Sequence, residues 1–246
     1  MPNFNKGKYL VKAIKSVLNQ SFRNWKLYII DDASNDDSVK ILKRFKKNKK
    51  INIFFLKKRN GPGYCRNIGI KKSRSKFISF LDSDDYWHKH KLKNQLEEMI
   101  KKKFKMVYSD YYSFKNNDKL LYSNVPNNFN FKSFIFNSSI NTSTLLLKRD
   151  IIKNVKFKNL LKHEDYIFKC EIFRKNKNLT AFKTKKIDTF YRILDNSRSN
   201  KILKSFFLLW IYNKKFNNLN FLDNFTSLMS ISLNSIKKYG LNKLGV

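Results

Sequence analysis

The chain has 246 residues, with 53 Lys and Arg against 18 Asp and Glu, a formal net charge of +35. That length suits one ordinary domain with a small appendage and is enough to bury a core. The 41% hydrophobic and 15% aromatic fractions exclude a disordered basic tail, and six Gly with three Pro exclude collagen-like and Pro/Gly-rich classes. Tyr9, Leu10, Ala13, Ile14, Val17 and Leu18 recur at helical spacing and predict an amphipathic helix over residues 7–20. Lys26 to Asp31 is a short apolar run ending in acid, as a buried strand would. A helix follows from Ser34-Asn35-Asp36-Asp37, burying Val39, Ile41, Leu42 and Phe45, and then a strand over 51–56. Asn60-Gly61-Pro62-Gly63 is a turn leading into a helix that ends at Lys72. A strand over 76–82, a helix carrying Leu92, Leu96, Met99 and Ile100, and a strand over 105–109 complete the first half.

The second half is less regular. Residues 115–130 read as a loop with one short strand, Ile140 to Leu147 as a strand, Glu164 to Arg174 as a helix and Leu179 to Tyr191 as a hairpin. Two amphipathic helices are predicted over 202–216 and 224–239. Alternating strands and helices imply a parallel sheet with right-handed crossovers, and ligands of such sheets bind beyond the carboxyl ends of the strands. Two strands end in acid, at Asp31-Asp32 and at Asp82-Ser83-Asp84-Asp85, which places both clusters on that rim. Two carboxylates one residue apart after a strand suit Mg2+ or Mn2+, whose remaining positions phosphate oxygens can fill.

These residues resemble the family 2 glycosyltransferases. The opening Pro2-Asn3-Phe4-Asn5, the run Ile29 to Asp36, the turn and helix Asn60 to Ile70, and Phe77 to Trp87 follow one another as in that family. Glu164-Asp165-Tyr166 and Tyr191-Arg192 with Asn196-Ser197 match later landmarks, so the likeness covers about residues 1–200. It implies an α/β fold of GT-A type, a mostly parallel sheet flanked by helices, over residues 1–197, with a C-terminal helical extension over 198–246. It also implies an inverting enzyme that takes a sugar from a nucleotide-sugar, with UDP-sugars the leading donors. The acceptor would be a glycan or lipid-linked hydroxyl in bacterial surface-polysaccharide synthesis. Carried over by position, Pro2, Asn3 and Phe4 line the nucleobase site and Asp32 (or Asp31) accepts a hydrogen bond from the base. Arg66 sits near the nucleotide with Ser83, Asp82 touches the ribose or the metal, Asp84 holds Mn2+ or Mg2+, and Asp165 is the general base. His163 and Glu164 are candidate acceptor contacts, and Arg192 either binds phosphate or pairs with an acid. On the residues alone, Glu164 and Asp165 read first as helix-capping acids. The likeness has one gap. The family opens on a buried apolar strand before its Pro-x-aromatic-Asn turn, whereas here Met1 stands against Pro2. The expectation is a fold lacking its usual first strand, through a late recorded start or a truncated gene, and a non-catalytic nucleotide-binding remnant is the alternative to an enzyme.

Two features set the expected surroundings. The positive charge attracts polyanions, yet the excess is mostly Lys beside abundant Asn, Ile and Phe, residues of A- and T-rich codons. A basic nucleic-acid-binding protein is the weaker alternative, since no helix-turn-helix, zinc-finger or RNP motif accompanies the charge, and nucleic acid is not an expected partner. No signal-peptide pattern opens the chain, and its longest apolar run, Phe206 to Tyr212, is far short of the ~20 residues of a spanning helix. The expected location is the cytoplasm, with the inner face of the membrane as a station. The segment from Ile202 reads either as a basic amphipathic helix on an anionic membrane or as a helix packed on the domain.

Overall fold

Three short strands build the first sheet. In the computed structural model, which describes residues 1–115, 121–194 and 202–239, β1 (Pro2–Asn3), β2 (Leu27–Asp31) and β3 (Ile51–Phe55) pair in parallel, with β2 central. The register sets Asn3 beside Asp31 and Ile29 beside Ile53. In place of the longer first strand there is a two-residue stub, tied by Ile30 N–H donating to the Met1 carbonyl and Asp32 N–H to that of Asn3. Helix α1 (Gly7–Leu18) buries Leu10, Ala13, Ile14 and Val17, its i, i+3, i+4, i+7 face. It meets α2 (Ser38–Phe45) and Leu27, Ile29 and Leu42 in one cluster. Each such apolar side chain contributes about 1.5–3 kcal/mol on burial. The starts of α1 and α2 share a cap, because Asp36 accepts Gly7 N–H at 2.9 Å and Ser38 N–H at 2.9 Å.

Pairing is mixed beyond β3. After α3 (Pro62–Lys72), a five-stranded sheet runs in the order β4 (Phe77–Ser79), β10 (Leu146–Lys148), β6 (Met106–Ser109), β11 (Ala181–Thr184), β9 (Asn128–Phe129). A four-stranded sheet runs β5 (Tyr86–Trp87), β12 (Thr189–Arg192), β7 (Tyr111–Phe114), β8 (Leu121–Ser123). Within these, β6–β11 and β7–β12 are parallel and the other pairs antiparallel. The remaining helices are α4 (Lys91–Lys101), α5 (Phe131–Ile135), α6 (Glu164–Lys175), α7 (Ile202–Tyr212) and α8 (Phe221–Tyr239).

Three sequence expectations change. The strand over 140–147 is shortened to 146–148, because Thr142–Thr144 closes into a 3-10 turn. The Asn141 side chain accepts Ser143 N–H at 2.8 Å and the Thr144 hydroxyl donates to the Asn141 carbonyl at 2.7 Å, local bonds that compete with a ladder. The hairpin over 179–191 is not one, since β11 and β12 join different sheets. The 115–130 segment holds two short strands among its described residues, β8 and β9, rather than one.

The C-terminal helices pack on the domain. Leu209 and Tyr212 enter the main core beside Phe134, Tyr166 and Phe173, and Leu208, Phe216, Leu228 and Ile231 lie against it. The expected boundary between residues 197 and 198, and the Asn196-Ser197 landmark, lie outside the described residues. No helix among the described residues is long and apolar enough to cross a membrane.

Candidate active site

A cavity of about 610 Å³ opens where β2 and β4 end. At the end of β2, adjacent acids have separate duties. Asp31 is buried behind the wall and does not line the cavity. It accepts bonds from Asn3 Nδ2 at 2.7 Å and from the Ser34 hydroxyl at 2.7 Å and N–H at 3.0 Å, across a turn in which Ala33 takes φ 59°. Asp31 therefore orients Asn3 rather than facing a ligand. Asp32 lines the cavity, and its two oxygens accept the Asn60 and Gly61 N–H groups at 2.8 and 2.7 Å. Gly61 sits at φ 90°, a conformation that favours glycine, and starts α3. The carboxylate thus sets the angle at which α3 leaves the sheet.

Arg66 on α3 is the hub. It is buried, and its guanidinium donates to Asp82 Oδ1 at 2.6 Å and to Glu164 Oε1 at 3.4 Å, tying the end of β4 to the start of α6. Burial works against its charge, but Asp82, Glu164 and Asp165 outweigh this and raise its pKa. Arg66 Nε and Asn3 Oδ1 are buried without a hydrogen-bond partner. Each such group costs on the order of 1–3 kcal/mol, and unpaired buried polar atoms are rare enough to call for an explanation.

The turn after β4 carries three carboxylates. Asp82 and Asp84 line the cavity, Asp84 Oδ2 lying 2.9 Å from the Lys6 ammonium. Asp85 points inward, accepting the Ser143 hydroxyl at 2.6 Å and Arg192 N–H at 2.9 Å. Burial, with Asp84 and Asp82 adding to it, pushes the Asp85 carboxyl well up, so it acts as the pin of the turn. No group of three or more His, Cys, Asp or Glu close enough to hold a metal occurs among the described residues. The donor set still fits a hard divalent cation: two carboxylates on one wall, one already facing a cationic group, with the remaining ligands left to water or phosphate.

Across the cavity stands the start of α6. His163, in left-handed conformation at φ 60°, precedes it without a capping bond from its own side chain, and Glu164 and Asp165 fall in the first turn. Glu164 is buried against Arg66, whereas the Asp165 side chain is 39% exposed. Asp165 Oδ2 accepts from Lys169 Nζ at 2.9 Å and the Thr142 hydroxyl at 3.0 Å. Desolvation opposes its ionisation, but the Lys169 ammonium, then Arg66 and Thr142, hold the carboxyl well below the usual range. His163 Nε2 lies 3.0 Å from the Ser205 carbonyl on α7, and burial lowers its pKa. Arg192 Nε donates to the Asp84 carbonyl at 3.2 Å, and its guanidinium lies 4.4 Å from the Tyr9 and Phe114 ring centres.

The cavity thus gathers Pro2, Asn3, Phe4, Asp32, Arg66, Asp82, Ser83, Asp84, His163, Glu164, Asp165 and Arg192, and leaves out Asp31. Thr142, in a segment the likeness sets on the acceptor side, lines it as well, while sequence reading passed over Lys6, Arg59 and Ser205, which also line it, and Lys169 beneath Asp165. Only Lys169 carried a signal, an acid followed four positions later by a lysine on one helix. Cys65 lines the cavity too, but burial, reinforced by Asp32, pushes its thiol up to about 12 and leaves it inert.

The glycosyl transferase family 2 model matches residues 1–175. A Haemophilus influenzae protein described as an uncharacterized glycosyltransferase is 32% identical over 215 residues, 87% of this chain and 84% of that one. The Escherichia coli UDP-Glc:alpha-D-GlcNAc-diphosphoundecaprenol beta-1,3-glucosyltransferase WfaP is 33% identical over 183 residues, 73% and 70% of the two chains. Among solved structures, S. aureus TarS 1–349 with UDP-GlcNAc superposes at TM-score 0.72, with 17% identity over 98% of this chain and 72% of that one. The mannosyltransferase PcManGT from Pyrobaculum calidifontis, with GDP-Man and Mn2+, does so at 0.67, with 11% identity over 99% and 70%. Such low identities speak for the shared GT-A fold, while the family match and the H. influenzae relative speak for common descent. On both grounds this chain belongs to the family 2 glycosyltransferases and is a glycosyltransferase.

Proposed function

We propose that this enzyme transfers a sugar, with inversion, from a UDP-sugar to a hydroxyl of a lipid-linked glycan at the membrane's inner face, and that residues 1–197 form its catalytic unit. One observation carries the reading: a single cavity joins the Asp82–Asp84 turn to the open Asp165 carboxylate. The activity that WfaP is named for, a glucosyl transfer to a diphosphoundecaprenol-linked sugar, supports the acceptor class. The UDP and UDP-GlcNAc found with TarS support the donor class.

In this reading Asn3, Phe4 and Asp32 hold the nucleobase, and Arg59, 4.0 Å from the Phe4 ring centre, backs that wall. Arg66 and Ser83 line the floor beneath the diphosphate. Asp84, with Asp82 beside it, holds Mn2+ or Mg2+, which when bound supplies Lewis-acid neutralisation of the leaving diphosphate. Asp165 takes the acceptor hydroxyl's proton as that oxygen attacks the anomeric carbon. The bond to the β-phosphate oxygen breaks and its electrons leave with UDP. General base catalysis of this kind contributes ~10²–10⁴-fold. Lys6 and Arg192 add fixed positive charge near the leaving group, and His163 and Glu164 shape the acceptor end.

The test is UDP release from a panel of UDP-sugars, with a diphosphate-lipid analogue as acceptor and Mn2+ present. Asp165→Asn should lower kcat at least ~100-fold and leave donor affinity intact, and Asp84→Ala should abolish the dependence on Mn2+. Undiminished transfer by Asp165→Asn would refute the assignment of the base.

A further inference from the structure

We propose that the exposed apolar face of α8 and α7 seats the enzyme on an anionic lipid bilayer, with the acceptor end of the cavity beside that surface. Helix α8 is apolar on two sides. One face packs on the domain through Leu228 and Ile231, with Asn224 and Ser227 buried between them. On the other, Leu222, Phe225, Met229 and Leu233 follow at spacings of three and four, which aligns them in one stripe. With Phe221 they are 50–72% exposed. The Phe221 ring lies 5.3 Å from that of Trp210 on α7, where Phe207 and Ile211 are exposed one turn apart. Seven of the thirteen exposed large apolar side chains among the described residues lie on these two helices, so this is a patch rather than scatter.

Charge selects the occupant. At +35 per chain, a second copy is repelled and an anionic surface attracted. Lys204, Lys214 and Lys215 are exposed on the same segment, against Asp223 alone among the acids of α7 and α8. A helix with an apolar stripe beside lysines lies in the plane of a membrane interface. The patch also reaches the site. Ser205 on α7 lines the cavity and its carbonyl holds His163, two residues before Asp165, while Phe207 is exposed two residues further on. A lipid-borne hydroxyl would then approach Asp165 from the membrane side. That orientation rests on the proposed reading of the cavity, and the docking itself does not.

Co-sedimentation of the full chain with vesicles tests this, one set of phosphatidylcholine and one with about 30 mol% phosphatidylglycerol. We expect at least ~tenfold tighter partition into the anionic set. The triple variant Phe225→Ser, Met229→Ser, Leu233→Ser should lose ~tenfold or more of it while releasing UDP with a water-soluble acceptor at the wild-type rate. A chain that stays in the supernatant with anionic vesicles would overturn the proposal, as would equal partition into the neutral set. So would a triple variant that binds like wild type, which is adsorption by charge alone. Light scattering that reveals a dimer abolished by the triple variant, with no vesicle binding, would assign the face to a second copy. Failure to release UDP from any donor would sink the proposed function and leave the vesicle result standing.

Discussion

Asp165, the proposed base, is held by a lysine, and that pairing sets its chemistry. Lys169 is almost fully buried, and its ammonium donates to the Ile140 carbonyl at 2.8 Å, the Thr142 hydroxyl at 3.2 Å and Asp165 Oδ2 at 2.9 Å. The carboxylate also feels Arg66 from α3, and Glu164 and His163 are its neighbours along the chain. Held well below the ordinary range, Asp165 stays charged at every working pH, at some loss of proton affinity. Removing the ammonium leaves desolvation as the larger influence, which raises a carboxyl pKa. Lys169→Met should therefore move the acid limb of kcat/KM upward by ~1 pH unit or more. The same change bears on stability. A carboxyl depressed in the folded state stabilises above its unfolded pKa of ~3.9, and that contribution is lost as pH falls through the folded value. The variant should lose stability at neutral pH and show a flatter acid arm in urea melts between pH 5 and pH 3. A pH–rate profile superimposable on wild type would show that Lys169 supports the fold and leaves the base untouched.

Elements matter here through how closely they approach. Helix α3 carries two glycines with opposite surroundings. A Cβ on Gly63 would stand 3.1 Å from Glu164 Cγ and 3.2 Å from the Lys158 carbonyl and Phe157 Cβ, whereas one on Gly69 would meet Ile30 Cδ1 at 3.4 Å, ordinary contact. Alanine gains up to ~1 kcal/mol over glycine within a helix. Gly69→Ala should keep most of that gain, read as a higher urea midpoint. Gly63→Ala should reverse it, with a net loss of ~1–2 kcal/mol and lower kcat, because pushing Glu164 moves Asp165 with it. A stabilised Gly63→Ala variant of full activity would show that the α3–α6 approach is slack. This approach was invisible in the sequence, where Gly63 reads only as part of a turn. Periodicity did place α1 to within two residues, because it buries one face of a regular repeat, and the apolar runs of β2 and β3 and the α6 segment fell as closely. The ordered landmarks also assembled twelve of the thirteen cavity candidates. The hairpin reading failed for a nonlocal reason. Val107 pairs with Phe182 and Tyr112 with Phe190, five positions on one chain against eight on the other. The extra residues lie in the connection 185–188, which carries the chain from one sheet to the other, and no local pattern records which distant strand awaits it.

The whole molecule is closed by polar groups where apolar packing would be expected. Asn213, in the π-helical turn Asn213–Asn217 between α7 and α8, is fully buried. Its Oδ1 accepts the Tyr166 hydroxyl at 2.9 Å and Asn217 Nδ2 at 2.9 Å, and its Nδ2 donates to Asn224 Oδ1 at 3.1 Å. Asn224 in turn donates to the Trp210 carbonyl at 3.0 Å, and the Ser227 hydroxyl to the Ile135 carbonyl at 2.5 Å. One asparagine thus ties α6, α7 and α8 together, and the neighbouring serine ties α8 to α5. A satisfied network of this kind specifies one docking of the C-terminal helices, and a broken one leaves several buried groups unpaired. Asn213→Ala should cost ~2–4 kcal/mol, since at least two donors lose their acceptor at ~1–3 kcal/mol each before relaxation. Because Leu209 and Tyr212 share a core with α5 and α6, that cost should fall on the whole fold. Urea unfolding of the variant, followed by tryptophan fluorescence and by far-ultraviolet circular dichroism, should give coincident curves at a lowered midpoint. An early fluorescence transition ahead of an unmoved circular-dichroism midpoint would mean that α7 and α8 melt as a separate unit, and that the asparagine network docks them without stabilising the catalytic body.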